Sequence, residues 1–369
     1  MSELKRTPLF AEHLALNAKM IPFGGWEMPV QYSAILQEHR SVREQAGLFD
    51  LSHMGEFFVS GPGAYDYLQR LLTNNLAKLL PGKAQYNLLC NEAGGVIDDL
   101  IVYCYDQERY LVVVNAANIG KDWEWFTKHL PSSGVTLTDR SAETALLAVQ
   151  GPKSEEILRP LCSEDPAQLK FYSFVEGTVA GRPAMISATG YTGERGFELY
   201  IDAADAGYLW QELLQAGRES GLVPVGLGAR DTLRLEMAYP LYGQELSEDI
   251  TPWEAGLGWT VKLDKGDFIG KEALVAKKEA GLTRSLVGFK MIGRGVCRHG
   301  YEILNDDAAV IGSVTSGSFS PTLEENIGLG YVTLPYTEPG TRIWVKIREK
   351  LVEAQVVALP FVQPYTKRA

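Results

Sequence analysis

An acidic pair in the segment GGVIDDLIVY is the first feature that could support chemistry. If this segment is a strand, its side chains alternate between two faces, so Asp98 and Asp99 point in opposite directions, each among apolar neighbours. A carboxylate in such surroundings is poorly solvated, which raises its pKa unless a donor or a cation compensates. One of the two could therefore accept a proton or a hydrogen bond from a ligand. Alternatively, backbone amides at the end of a turn cap both carboxylates, and the pattern alone leaves this choice open.

A glycine-rich segment, GYTGERGFE, surrounds Tyr191 and Glu198 with glycines at positions 190, 193 and 196. Glycine lets the backbone come close to a ligand or simply turn between two strands, and both interpretations stay open. No GKS or GKT follows these glycines, so the segment does not match a phosphate-binding loop. The later GLGARD lacks the third glycine of a dinucleotide fingerprint. A bound nucleotide is therefore not expected.

Two arginines one helical turn apart, Arg230 and Arg234, lie in the segment GARDTLRLE. Like charges at this spacing repel each other mildly, so an anionic group should lie near them. That group could be Asp231 or Glu236 of the same segment. It could equally be the carboxylate of a ligand, which the planar guanidinium of Arg230 can hold through two parallel hydrogen bonds.

Histidine and cysteine give weaker signals. His53, in LSHMGEF, is more typical of a buried histidine with satisfied hydrogen bonds than of a catalytic base. The five histidines and four cysteines follow none of the usual metal-ligand spacings, so no metal site is expected. Cysteines without a disulfide framework are typical of a reducing compartment, which predicts free thiols and a cytoplasmic location.

Strand patterns indicate the elements that must position these residues. QYNLLC, VIDDLIVYCY and YLVVVN are apolar runs with short turn-rich links, which predicts an antiparallel meander followed by the amphipathic helix NIGKDWEWFTKHL. Between about residues 140 and 220, TALLAVQG, RPAMISATG and FELYID predict further strands, and AGYLWQELLQAGRES predicts a helix. Such a mixture is typical of an α+β fold.

Two more segments predict where elements begin and end. The segment SAILQEHRSVREQA predicts a surface helix from Ser33 to Ala46, with Ser33 as its cap and Gly47 as its stop. From about residue 281, short alternating runs such as Ile343 to Ile347 predict a separate all-β domain at the carboxyl end.

Length and charge exclude several classes of protein. A chain of 369 residues with 46% hydrophobic and 22% charged residues has an ordinary globular composition. Lys and Arg number 35 against 46 Asp and Glu, and this net charge of −11 argues against nucleic acid as a partner. No run of roughly 18 apolar residues occurs, so no membrane partner is expected. An anionic ligand would need a local cation such as Arg230.

Eight motifs occur in an order that resembles one known family. They are KMIPFGGWEMPVQY, GLFDLSHMGEF, GGVIDDLIVY, VVNAAN, GYTGERGFEL, GLGARDTLRLE, GFKM and SGSFSPTLEENIGLGYV. From Thr7 to Pro360 the chain is similar to the aminomethyltransferases of the glycine cleavage system, the T-proteins. The resemblance implies a three-lobed α+β fold around a central folate cavity. Residues 1–280 would form the catalytic region, with lobes at 1–50 plus 140–280 and at 51–139, and residues 281–369 a C-terminal β-barrel.

The resemblance also implies a reaction and its partners. The methylene of an aminomethyl group, carried on the lipoyl arm of H-protein, would pass to tetrahydrofolate as the acceptor substrate. Ammonia and the dihydrolipoyl arm would be released. The family needs neither a metal nor a nucleotide for this transfer.

Roles for individual residues follow from the same resemblance. Asp99 matches the second aspartate of the family's GGxxDD motif, so it would handle a proton, orient the amine or stabilise developing positive charge. Glu198 and Arg230 match folate contacts, with Glu198 suited to the pterin donors and Arg230 to the glutamate tail. The remaining predicted lining residues are Asn115, Tyr191, Tyr86, Tyr103, Tyr239 and, through a short variable tail, Tyr365.

Three other classes of protein compete with this interpretation. Folate-binding maintenance proteins of iron–sulfur enzymes share the fold, but their GCYxGQE motif is absent here. The folate domain of dimethylglycine or sarcosine oxidation is usually fused to a flavoprotein, and this sequence contains no dinucleotide fingerprint. A pure interaction module would not need Asp99, Glu198 and Arg230. Fold alone would not separate these classes.

Overall fold

The computed structural model describes residues 4–367, which form eight α-helices and 19 β-strands. The first elements are α1 (Phe10–Ala15), β1 (Lys19–Phe23), β2 (Trp26–Gln31), α2 (Ile35–Glu44), β3 (Ala46–Asp50), β4 (Gly55–Ser60), α3 (Ala64–Leu71), β5 (Lys83–Cys90), β6 (Val96–Asp106), β7 (Arg109–Val114), α4 (Ile119–Lys128) and β8 (Thr136–Asp139). None of the helices in this described range is long and apolar enough to cross a membrane.

The middle elements are β9 (Thr144–Gln150), α5 (Ser154–Leu158), β10 (Phe174–Val179), β11 (Arg182–Ser187), β12 (Gly196–Asp202), α6 (Ala206–Gly217), β13 (Leu222–Pro224), α7 (Leu227–Glu236) and α8 (Lys271–Ala280). The last are β14 (Arg284–Met291), β15 (Glu302–Leu304), β16 (Val310–Ser320), β17 (Glu325–Thr333), β18 (Arg342–Ile347) and β19 (Lys350–Val357).

Contacts between residues divide the chain into two units. The first unit comprises Met1–Gln69, Leu76–Asn87 and Leu100–Asp231. The second unit comprises Arg70–Asn75, Leu88–Asp99 and Thr232–Ala369. The division falls inside α3, β5, β6 and α7, so Asp99 belongs to the second unit and the residue after it to the first.

A six-stranded sheet with the order β10-β11-β12-β9-β3-β13 is the main sheet of the first unit. Its strands pair antiparallel except for β13, which runs parallel to β3. One face of the sheet packs on α6, where Leu209, Trp210 and Leu213 are buried in a common apolar core. This burial stabilises the sheet because it removes large apolar side chains from water.

The predicted meander is confirmed in a five-stranded sheet with the order β5-β6-β7-β4-β8. Its three predicted strands are neighbours, and the amphipathic helix that was expected after them is α4. The alternation in β6 also holds, because Asp98 is completely buried whereas Asp99 on the other face is half-buried.

The helix predicted from Ser33 to Ala46 is shorter than expected. Helix α2 ends at Glu44, and Ala46 already belongs to the buried strand β3. Gly47 is therefore not a helix stop. It lies in β3, where an added Cβ atom would come within 2.5 Å of methyl carbons of Val42 and Val225, so close packing requires glycine there.

The C-terminal strands form a closed barrel with the order β14-β17-β16-β15-β18-β19. Strand β14 pairs with both β17 and β19 and closes the ring. The predicted alternation in β18 is confirmed, because Ile343 and Val345 are completely buried while Trp344 between them is not. The expected α+β class with a C-terminal β-barrel is thus confirmed.

Candidate active site

Strand β12 places Glu198 on the polar face of the six-stranded sheet. Phe197, Leu199 and Ile201 alternate onto the opposite face and join the apolar core. Glu198 therefore shares its face with Tyr200, two residues further along the strand. The register of β11 and β12 sets Ser187 opposite Glu198, which adds a hydroxyl to this face.

The glycines before β12 surround a glutamine of the protein itself. A Cβ atom at Gly190 would lie 2.0 Å from Oε1 of Gln150, and one at Gly196 would lie 2.4 Å from its Cδ. The Gln150 amide donates to the carbonyl of Thr189 at 3.1 Å and accepts from the hydroxyl of Thr192 at 2.9 Å. Two of the three glycines are thus explained by packing on Gln150, and this close approach fixes the loop that leads to Glu198.

The Glu198 carboxylate is buried and receives its protein hydrogen bonds on one oxygen. Both Thr189 and Tyr103 donate hydroxyl protons to Oε2, the latter at 3.5 Å. Within residues 4–367, no group donates to Oε1. Burial raises the pKa of Glu198, and the Thr189 hydrogen bond and the positive charge of Arg230 compensate only in part. The protein therefore uses Oε2 of this carboxylate for its own hydrogen bonds.

Arg230 lies in the first turn of α7, the start of which is packed tightly. A Cβ atom at Gly226 would come within 2.4 Å of the Val30 backbone, and one at Gly228 within 2.5 Å of an Ile35 methyl group. The guanidinium of Arg230 lies 4.7 Å from the ring centre of Tyr191, a cation–π contact. The glycines of GLGARD thus serve helix packing, and they place a cation beside one predicted ligand-binding tyrosine.

The positive charge of Arg230 also acts on His53. It is buried, its ring meets Phe23 edge to face at 5.8 Å, and Nδ1 has no hydrogen-bond partner in the described part of the chain. Burial and the positive charge of Arg230 lower the pKa of His53 to about 4, so it is neutral near pH 7. The prediction of a buried histidine is correct, but its hydrogen bonds are not all satisfied.

Two other predicted lining residues also belong to the first unit. Tyr86 lies in β5 and is half-buried. Asn115 follows the end of β7, and its carbonyl accepts the amide of Asn118 at 2.9 Å as the chain turns towards α4. Both interact with other residues of the protein.

Asp99, Tyr239 and Tyr365 belong to the second unit and are half-buried. The carbonyl of Tyr239 accepts from the guanidinium of Arg234 at 3.2 Å, and Tyr365 begins a short 3₁₀-helix. Each of the three interacts with other residues of the protein.

The second arginine of the predicted pair has a structural partner. Arg234 is buried and forms an ion pair with Glu245 at 2.8 Å, and its other terminal nitrogen donates to Ser316 at 2.8 Å. Glu236 accepts from Thr322 through both the amide and the hydroxyl group. The partner of Arg234 thus lies outside GARDTLRLE, which sequence spacing could not reveal.

The structure therefore brings Tyr103 together with Glu198, and it places Arg230 over Tyr191, where its charge also acts on Glu198. Sequence reasoning missed Gln150, Thr189 and Tyr200, which hold or surround Glu198. Only the alternation of β12 signals Tyr200, since it places the tyrosine on the same face as Glu198. In the portion described, no group of three or more His, Cys, Asp and Glu side chains is arranged to hold a metal ion.

Family models match most of the chain. The GCVT N-terminal domain matches residues 9–265. The glycine cleavage T-protein C-terminal barrel domain matches residues 284–363, which include all six strands of the closed barrel.

Relatives of known assignment match over their full length. An aminomethyltransferase of Symbiobacterium thermophilum is 55% identical over 372 residues, with 99% of each chain covered. One of Halothermothrix orenii is 52% identical and covers 97% of this chain and 100% of its own. The crystal structure of glycine cleavage system aminomethyltransferase T from Bartonella henselae matches with a TM-score of 0.93 at 34% identity, covering 98% of this chain and 99% of that one. The chain belongs to the glycine cleavage system aminomethyltransferases, the T-protein family.

Proposed function

We propose that the protein transfers the methylene of an aminomethyl group from the lipoyl arm of H-protein to tetrahydrofolate. The products are methylenetetrahydrofolate, ammonia and dihydrolipoyl H-protein. Membership of the aminomethyltransferase family supports this activity, since the chain covers 99% of a relative with that name. The lipoylated H-protein as partner and the cytoplasm as location belong to the same proposal, as does the division into a catalytic region at 1–280 and a barrel at 281–369.

The hydrogen bonding of the Glu198 carboxylate is the main structural support for this proposal. Its Oε2 is held by Thr189 and Tyr103, and no described residue donates to Oε1. Pterins carry N–H donors, which a carboxylate oxygen accepts. A carboxylate that is oriented through one oxygen and receives no hydrogen bond from described residues on the other can accept such donors.

The other predicted residues suit the rest of a folate in their chemistry. The cation of Arg230 suits the carboxylates of the glutamate tail, because a guanidinium pairs with a carboxylate in a bidentate manner. The half-buried Tyr191, Tyr86 and Tyr239 supply apolar faces with polar tips, and Asn115 supplies both a donor and an acceptor. Tyr103 acts through Glu198, and Tyr365 remains a predicted contact.

Asp99 is proposed to handle the proton of the reaction. Tetrahydrofolate supplies the nitrogen that receives the methylene. Asp99 is half-buried on a strand whose neighbouring carboxylate, Asp98, is fully enclosed, so Asp99 is the member of the pair that a ligand can reach. A carboxylate there can accept a proton or balance the positive charge that develops as ammonia leaves.

The test is to assay the purified protein with aminomethyl-loaded, lipoylated H-protein and tetrahydrofolate, measuring ammonia and methylenetetrahydrofolate together. We expect both products in equal amounts. For Asp99→Asn we expect folate affinity within a few fold of the parent and transfer slower by at least about 100-fold, because shape is kept while the charge is lost.

The matched control is Asp106→Asn on the same strand, where the carboxylate pairs at the surface with Arg109 at 2.7 Å. This variant should transfer at the parental rate. Undiminished transfer by Asp99→Asn would refute the role of Asp99, and no product from the parent protein would refute the function.

A further inference from the structure

Four buried hydroxyl groups lie behind the Glu198 carboxylate. These residues, which we call the hydroxyl network, are Tyr103, Ser187, Thr189 and Tyr200. Thr189 donates to Oε2 of Glu198, and Tyr103 reaches the same oxygen at 3.5 Å. The Ser187 hydroxyl lies 2.9 Å from that of Thr189, and the Tyr200 hydroxyl lies 3.0 Å from that of Tyr103.

The hydroxyl network is buried, and its tyrosines pack among aromatic rings. All four members are buried, with Tyr103 and Ser187 completely inaccessible. The rings of Tyr103 and Tyr200 meet edge to face at 5.5 Å, and Tyr103 also packs against Phe174 at 5.4 Å. Their hydroxyl groups cannot exchange these partners for solvent, so the direction of each hydrogen bond is set by the neighbouring groups.

Proton counting restricts the direction of the hydrogen bonds around the two phenols, either of which could donate to the other. Each phenol carries one proton, and burial raises the pKa of both Tyr103 and Tyr200 far above the ordinary value, so both stay protonated. If Tyr200 donates to the oxygen of Tyr103, the single proton of Tyr103 is left to point at Glu198 or at Thr189, 3.2 Å away. The donation also polarises the Tyr103 hydroxyl and strengthens its own hydrogen bond.

We propose that Tyr200 is a positioning residue, which acts through Tyr103 to hold the Glu198 carboxylate ionised with Oε1 presented to the folate. Ser187 acts in the same way through Thr189. This inference rests on the proposed contact between Glu198 and the pterin. Tyr200 itself makes no contribution to the chemistry beyond directing the proton of Tyr103.

The pH dependence of folate binding should report this role. Facing Glu198 are Arg230 from α7 and the two phenols, and Tyr200 in turn faces Glu56 of β4. Burial and the charge of Asp139 raise the pKa of Glu56 well above its ordinary value. Loss of a donor from the hydroxyl network destabilises the ionised form of Glu198 and so raises the pKa of Glu198 further. Folate binding, which needs the ionised form, should then require a higher pH.

The experiment compares Tyr200→Phe with Tyr105→Phe in steady-state kinetics across the neutral pH range. Tyr105 lies on the same face of β6 as Tyr103 and packs against Phe174 at 5.1 Å, but its hydroxyl donates to the sulfur of Met185 at 3.2 Å. For Tyr200→Phe we expect KM for tetrahydrofolate to rise about 3- to 10-fold with kcat within about 2-fold, and the acidic limb of kcat/KM to move to higher pH. Tyr105→Phe should change neither quantity.

Identical KM values and pH profiles in the two tyrosine variants would overturn the inference. If Tyr200→Phe does not fold, Ser187→Ala replaces it, and a parental pH profile there overturns the inference equally. A third variant, Glu198→Gln, separates the inference from the proposed function. Unchanged folate affinity in Glu198→Gln refutes the pterin contact itself, whereas a loss there combined with a silent Tyr200→Phe refutes only the role of Tyr200.

Discussion

Two sets of buried polar side chains in the first unit differ in how completely the protein pairs them. Glu38 uses both oxygens: Oε1 accepts the amides of Tyr32 and Ser33, each at 2.7 Å, and Oε2 accepts the amide of Gly226 at 2.9 Å. Glu198, by contrast, receives hydrogen bonds from described residues on Oε2 alone.

The buried histidines show the same contrast. His13 is paired at both ring nitrogens, with Asp50 at 2.8 Å and with the hydroxyl of Tyr32 at 2.9 Å. His53 lacks a partner at Nδ1 within residues 4–367. Buried polar atoms are nearly always paired in folded proteins. Glu38 and His13 are therefore fully used within the protein, whereas Glu198 and His53 keep hydrogen-bonding capacity that the described residues do not use.

The largest expected effect is a loss of folding stability when Asp50, another fully paired buried side chain, is replaced. Its carboxylate accepts from Thr7 at 2.7 Å, from His13 and from the amide of Ser52 at 2.9 Å. Asp50→Asn should lower the free energy of unfolding by about 4 kcal/mol, because it breaks a buried pair and leaves donors unsatisfied.

The pH dependence gives a further check on Asp50. Burial alone would raise the pKa of Asp50, but the hydrogen bonds from His13 and Thr7 bring it below the ordinary 3.8. The stabilisation that ionised Asp50 contributes is therefore present above pH 3.8 and is lost as the pH falls below 3.8. Urea titration measures this, with the exposed Asp106→Asn as a control that should unfold like the parent.

Glu38→Gln should lower the free energy of unfolding by about 3 kcal/mol. The amide group keeps one acceptor but turns a donor towards backbone amides, so at least one of the amides of Tyr32, Ser33 and Gly226 loses its partner. Glu44→Gln, at an exposed position of the same helix, is the control. Equal unfolding curves for these two variants would show that Glu38 does not hold the start of α7.

His53 should make stability fall in mild acid, by about 2 kcal/mol at pH 5. Burial and the charge of Arg230 lower the pKa of His53 from 6.5 to about 4. Between these two values His53 is protonated in the unfolded chain but neutral in the folded protein. Stability is therefore lost as pH falls from 6.5 towards 4. Urea titrations of His53→Gln should lack this dependence, whereas those of the exposed His299→Gln should retain it, and the same slope in both would contradict the burial of a neutral His53.

The elements could be predicted because apolar periodicity is local. A dozen or so neighbouring residues were enough to predict each of these elements: the strands β5, β6 and β7, the helix α4 and the alternation of β18. The error at Gly47 has a tertiary cause, since the glycine is required by methyl groups of Val42 and Val225, and the latter lies far along the chain.

The partners of the predicted site residues could not be read in the same way. Tyr103 and Tyr200 are 97 residues apart, and Thr192 meets Gln150 across 42. The glycines of GYTGERGFE suggested the approach of a ligand, yet two of them accommodate Gln150. Motif resemblance named Glu198 and Arg230, but it carried no information on which oxygen of Glu198 the protein itself uses.

The most direct test of the central claim is calorimetric titration of a stable reduced folate into the parent protein and Glu198→Gln. We expect an affinity at least about 10-fold weaker in the variant. We also expect a thermal midpoint at neutral pH no lower than the parental one, because burial disfavours the ionised Glu198 in the ligand-free protein. Glu176→Gln, at an exposed position of the same sheet, should bind as the parent does. Parental affinity in Glu198→Gln would contradict the claim that its Oε1 is kept for the ligand.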